Sequence, residues 1–197
     1  MKKTEVTQKQ WHALMGSRPA QFKKCPTCPV ERVSWFDAVK YANRLSATES
    51  KAACYTGQGV ATYTPIHTCP GYRLPTETEW EVAARGGLVG SKYAWGESPS
   101  TTRANFDQTL HGATIPVGSF PANGYGLYEI GGNLREWTWD WNDSEIYGYG
   151  LWENLTMEAN GSRGYLDLQE TNASFDWRES VPNNFSHSGT SWGLVET

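Results

Sequence analysis

Charge is scarce in this chain of 197 residues. Asp, Glu, Lys and Arg make up 19% of it, below the roughly 25% of an ordinary soluble domain. No basic run exceeds two residues and the formal net charge is −4. A nucleic-acid surface needs clustered cations to displace counterions from phosphates, so nucleic acid is excluded as a partner. Long apolar runs are missing too. None approaches the roughly 18 residues of a membrane span, so no membrane span is expected. The opening stretch MKKTEVTQKQW has two lysines but no apolar segment behind them, and it does not read as a signal peptide. Nucleophilic chemistry finds few parts. His12, His67, His111 and His187 are scattered, and there is no His-x-x-His, no G-x-S-x-G and no P-loop. Cysteine stops early: the four stand at 25, 28, 54 and 69, and none follows Cys69.

What is abundant is aromatic. Ten tryptophans and ten tyrosines accompany 20 glycines and 10 prolines. Each large ring buries much area, so a core can be built from few residues joined by much loop. The length suits one domain over residues 1–197.

Cys25-Pro-Thr-Cys28 has the spacing of a zinc knuckle or of a redox pair. Zinc would need a second close pair, and Cys54 and Cys69 are fifteen apart. A thioredoxin-type pair opens a helix after a strand, whereas Pro26 and Pro29 make this stretch a turn. Disulfides, zinc and free thiols are the three readings. The expected pairing is Cys54–Cys69 closing a loop and Cys25–Cys28 as a local bridge. Disulfides imply an oxidising, extracytoplasmic or secreted location.

Three helices are readable. One opens at Thr7, with Gln10 completing a capping box, and stops at Gly16. A second opens at Ser34 and places Trp35, Ala38, Val39, Ala42 and Leu45 on one face. A third is capped by Thr76 with Glu79 completing the box. It turns Trp80, Ala83 and Ala84 inward and ends at Gly86-Gly87. Beyond Gly87 the helical period vanishes. KYAWGE, TIPVGSF, GYGLYEIGG and EWTWDW read as short antiparallel strands among long structured loops. Helices first and irregular β later give an α+β class with low regular content.

Two constellations carry chemistry. In GYRLPTETEW, residues 71–80, Arg73 reads best as a structural cation paired with a carboxylate. The stretch GLYEIGGNLREW, residues 126–137, is glycine-rich yet ends in indoles. Calcium takes six to eight oxygens from carboxylates and carbonyls, and glycine lets successive carbonyls face one point. Glu129 and Glu136, seven apart, would supply half of a calcium cage, with Trp137, Trp139 and Trp141 sealing one side; the other reading is of glutamates that are solvated or paired to arginine. Asn-x-Ser/Thr sequons at Asn142, Asn154, Asn160, Asn172 and Asn184 are compositional.

The segments EVTQKQWHALMG, CPVERVSWFDAVKYANRLS, GYRLPTETEWEVAARGG, YAWGE and PVGSFPANGYGLYEIGGNLREWTWDW occur in that order. Together they resemble the formylglycine-generating enzyme, or sulfatase-modifying factor, family over residues 5–141. Residues 142–197 diverge. The resemblance implies a C-type lectin-like fold and calcium at two places. One would use Asn105, Phe106, Gly118 and Phe120, although an acid often stands where Gly118 does. The other would use Glu129, Gly132, Leu134 and Glu136, with Glu129 replacing a shorter Asp or Asn. Relatives that oxidise a sulfatase cysteine bind copper through two late cysteines, which are absent here. No copper is expected, and the resemblance points away from that activity. A calcium-stabilised, non-catalytic binding or display module for protein or glycan ligands is the leading expectation. Loops after Trp141, with the aromatic stretch Tyr147–Trp152, would carry the ligand surface. The alternatives are a copper-independent enzyme of the family and a homo-oligomer that completes its fold through divergent termini.

Overall fold

The computed structural model describes residues 1–106, 113–141, 163–166 and 190–191. Helix α1 spans Gln8–Met15, α2 spans Trp35–Thr48 and α3 spans Glu77–Arg85. Each begins where its cap predicts. Thr7, Ser34 and Thr76 are extended, and each side chain accepts from the amide three residues on. Gln10 and Glu79 return the bond and complete two capping boxes. Gly16 and Gly86 end α1 and α3 in left-handed conformations. Gly86 has no spare room, since a Cβ there would stand 2.7 Å from Gly124 N.

Two apolar clusters organise the chain. The larger joins α1 and α2 through Trp11, which stacks on Tyr41 with centroids 5.2 Å apart. Trp35, Tyr55 and Trp139 form its other pole. The buried Cys54–Cys69 disulfide lies in this cluster, and Cys25–Cys28 closes a separate loop. Both bridges are those the spacing suggested, and no cysteine is free. The smaller cluster joins Trp80 and Ala84 of α3 to Leu127 and Ile130.

Strand β1, Arg135–Trp141, runs between β2, Arg163–Leu166, and β3, Thr190–Ser191. It pairs antiparallel with β2, as expected, and parallel with the short β3. Of the other expected strands, KYAWGE is a tight turn with one bridge, Tyr93 to Gly96. The segments 114–120 and 124–132 carry no strand among the described residues. Their amides are taken by side chains and turns: Asn123 Oδ1 accepts from Tyr125 N and Leu127 N, and Glu129 accepts from Gly118 N and Phe120 N. A backbone satisfied in that way has no need of a ladder.

Alternation along β1 positions the site. Trp139 enters the larger cluster, and Trp137 packs against it and donates its indole N–H to Val33 O at 3.0 Å. Glu136 and Asp140 face α3. Trp80 Nε1 donates to Glu136, and Asp140 accepts from Glu77 N at 2.5 Å.

Candidate functional site

The glycine-rich loop has two non-glycine residues in the left-handed region, Glu129 at φ 52° and Asn133 at φ 69°. Asparagine visits this region readily, and glutamate does so at a cost. Both are buried, with 5% and 3% of their surface exposed. Their hydrogen bonds account for the conformations. Gly132 N closes a turn on Glu129 O at 3.0 Å. Asn133 then makes a four-way junction. Its Nδ2 donates to Glu5 Oε2 at 2.9 Å and to Ile115 O at 3.2 Å. Its Oδ1 accepts from Ile115 N at 3.0 Å and from Asn105 Nδ2 at 3.4 Å. Its backbone N–H donates to Asn105 O at 2.8 Å. One side chain thus ties the N-terminal segment, the 104–106 segment, the 113–115 segment and the loop.

The glycines allow close approach. A Cβ on Gly132 would meet Asn105 O at 3.0 Å, and one on Gly131 would meet the Trp95 ring at 2.8 Å. Trp95 stands beside Gly131 of the loop, and Trp80 meets the acidic face of the following strand at Glu136. Trp137 and Trp139, expected to seal it, fill the larger cluster instead, because they occupy the opposite face of β1. The side chain of Trp141 lies outside the described residues.

The eight candidate calcium ligands fall into linked groups. The Glu129 carboxylate reaches across to the other set, with Oε2 2.7 Å from Gly118 N and Oε1 3.1 Å from Phe120 N. Gly132 packs on Asn105, and Phe106 follows it in the same segment, with its ring 6.5 Å from that of Trp95. Leu134 N donates to Gly132 O at 2.9 Å. Glu136 is 6% exposed and sits on β1 against Trp80. Burial pushes its carboxyl up to about 7, with the indole hydrogen bond pulling the other way. A carboxylate buried so deeply favours a cation beside it.

Asn105 is the sharper test of fit. Both hydrogens of its Nδ2 are committed, to Ala113 O at 3.1 Å and to Asn133 Oδ1. That fixes which end of the amide is oxygen. The oxygen, Oδ1, is buried and has no hydrogen-bond partner among the described residues. An unsatisfied buried amide oxygen is a hard ligand of the kind calcium takes. Among the described residues no three of His, Cys, Asp and Glu gather in one cluster. A cation held here would therefore take most of its oxygens from amides and carbonyls.

Sequence reasoning missed Asn133, Glu5 and Asn123. Asn123 donates from Nδ2 to Ala83 O at 2.7 Å and Ala84 O at 3.1 Å, closing the free carbonyls of α3. An asparagine after Gly-Gly was a signal for a left-handed turn. Glu5 carried none, since its partner is 128 residues away. Arg73 behaves as expected. Its Nη1 and Nη2 each donate to Glu79 at 2.7 Å, which places it in the architecture of α3. The Tyr147–Trp152 stretch and the five sequons lie outside the described residues.

Comparison with known proteins agrees with this architecture. The family described as "Sulfatase-modifying factor enzyme 1-like domain" matches residues 1–187, extending past the ordered motifs. The chain is 37% identical to chaperone protein LppX of Paenibacillus barcinonensis, over 71% of this chain and 61% of that protein. It is 34% identical to the formylglycine-generating enzyme of Streptomyces coelicolor, over 77% of this chain and 43% of that enzyme. It thus spans less than two thirds of either relative's length. Among solved structures, Treponema denticola variable protein 1 superposes with a TM-score of 0.59 at 30% identity. That match covers 72% of this chain and 62% of the other. On the family match, the ordered motifs and the shared fold, this chain belongs to the formylglycine-generating enzyme, or sulfatase-modifying factor, family.

Proposed function

We propose that this domain is a non-catalytic binding module, stabilised by calcium, that presents a surface to protein or glycan ligands outside the cytoplasm. The observation that carries the non-catalytic half is the state of its sulfur. The copper site that the resemblance implies for the oxidising relatives is a pair of late cysteine thiolates, soft ligands that select copper(I). All four cysteines of these 197 residues are tied in disulfides, and none follows Cys69. The two disulfides also support an oxidising location.

Calcium would be held at two places, one by Asn105 Oδ1 with carbonyls of Phe106, Gly118 and Phe120, the other by Glu129 and Glu136 with the carbonyls of Gly132 and Leu134. Its role there would be to neutralise buried carboxylates and to fix loops that lack a ladder. The chain's likeness to a protein named a chaperone favours a polypeptide over a glycan as ligand. The likeness in fold to a variable protein agrees with display on a fixed scaffold.

Two binding measurements test the reading. Copper(I) titration against a competing chelator should give no sub-micromolar site, and a cysteine-containing sulfatase peptide should emerge unoxidised. Formylglycine in that peptide would overturn the non-catalytic assignment. Immobilised unfolded polypeptide and a glycan array should show retention on one of the two. Retention on neither would overturn the binding role.

A further inference from the structure

The two disulfides differ in kind. Cys54 and Cys69 are 0% and 1% exposed inside the larger cluster, 15 residues apart in sequence. Cys25 and Cys28 are three apart, with Cys28 2% exposed and Cys25 half-buried at the surface. A loop that short constrains the unfolded chain little compared with the longer one. Exposed disulfides are also the ones that exchange.

The surroundings of the short bridge are asymmetric. Its loop docks on the N-terminus of α1, where Gln8 N donates to Cys28 O at 2.9 Å and Lys9 N to Pro26 O at 3.0 Å. Lys23 and Lys24 precede Cys25, are exposed, and have no ion-pair partner among the described residues. The Thr27 hydroxyl lies 3.9 Å from Cys25 Sγ. Cations favour the thiolate over the thiol, and the two lysines adjoin Cys25 in the chain. Cys28 has the opposite setting. Its Sγ is buried and lies 3.6 Å from the Thr114 carbonyl oxygen, which can accept from a thiol and repels a thiolate. One sulfur is thus half-exposed next to two lysines in the chain, and the other is buried against a carbonyl oxygen.

We propose that Cys25–Cys28 is a redox-active disulfide that exchanges with dithiols of client polypeptides, with Cys25 as the sulfur that is attacked. A client thiolate bonds to Cys25 Sγ, the Cys25–Cys28 bond breaks, and Cys28 leaves with the electron pair and takes up a proton. The client's second thiol, losing its proton to solvent, attacks its own sulfur in the mixed disulfide and releases Cys25 as a thiolate. The client dithiol is thereby oxidised by two electrons to a disulfide, and the Cys25–Cys28 disulfide is reduced by two.

The experiment is graded reduction of the folded chain by dithiothreitol, alkylation with iodoacetamide and peptide mapping. Cys25 and Cys28 should be alkylated together at a dithiol concentration at least tenfold below that needed for Cys54 and Cys69. In Cys28→Ser, alkylation of Cys25 should follow a thiolate that forms below the ordinary cysteine value of about 8.5. Changing Lys23 and Lys24 to Gln should shift that profile upward. A melting curve of Cys28→Ser checks that it is folded. Opening of both disulfides at the same dithiol concentration would overturn the proposal. So would a Cys25 profile at or above the ordinary value in folded Cys28→Ser.

Discussion

Arg73 shows what one residue contributes here. It is 1% exposed, and both nitrogens of its fork point at Glu79. Burial alone would raise the Glu79 carboxyl. The hydrogen bonds from Arg73 and the Thr76 amide, with the charge of Arg73, bring it below the ordinary 4.5. Since the folded value is the lower one, the pair's contribution is present above about pH 4.5 and is lost as pH falls through the folded value. Glu79→Gln leaves the buried guanidinium without a counter-charge. Loss of one partner of a fully buried pair costs roughly 3–5 kcal/mol. The Glu79 side chain is 31% exposed, so about 2 kcal/mol is expected. Urea unfolding should show that deficit at pH 7 and its decline as the pH falls below 4.5. A deficit that stays the same over that range would remove the electrostatic account.

At the scale of elements, α3 and β1 are joined by side chains more than by a ladder. Trp139 N donates to Pro75 O at 2.8 Å, and Asp140 accepts from Glu77 N at the start of α3. Burial pushes the Asp140 carboxyl up to about 6 from 3.8, with the Glu77 amide opposing. The folded value is the higher one here. Its stabilising share is present below about pH 3.8 and is lost as pH rises through about 6. Asn keeps the acceptor for Glu77 N and drops the charge. Asp140→Asn should therefore compare more favourably with the parent at pH 8 than at pH 4.5, measured as the difference in melting temperature. The same comparison at both pH values would contradict the role of burial. The helices were legible from the chain because caps and apolar spacing are local signals. Thr7, Ser34, Thr76, Gly16 and Gly86 stand where such signals predict. The segments 114–120 and 124–132 were not legible. Their order depends on side chains of Asn123, Glu129 and Asn133 that take up backbone amides 2 to 18 residues away, and alternating residues cannot report that. The site was legible as a glycine-rich acidic loop. Which indoles touch it was not, because the face of β1 that turns to the core is decided by packing.

For the molecule as a whole, the sulfur and the loops divide the labour. Cys54–Cys69 fixes the larger cluster, and the polar junction at Asn133 holds the remaining segments around it. The central claim is that calcium completes these loops, taken up by Asn105 Oδ1 at one place and by the buried carboxylates of Glu129 and Glu136 at the other. Thermal melting of the chain in EDTA and in millimolar calcium tests it most directly. A ligand at a hundred times its dissociation constant adds about 2.7 kcal/mol, or roughly 5–10 °C for a chain of this size. The account predicts a rise of that order with calcium, which Asn105→Ala and Glu136→Ala each diminish while remaining folded in EDTA. Identical melting temperatures with EDTA and with millimolar calcium would contradict it.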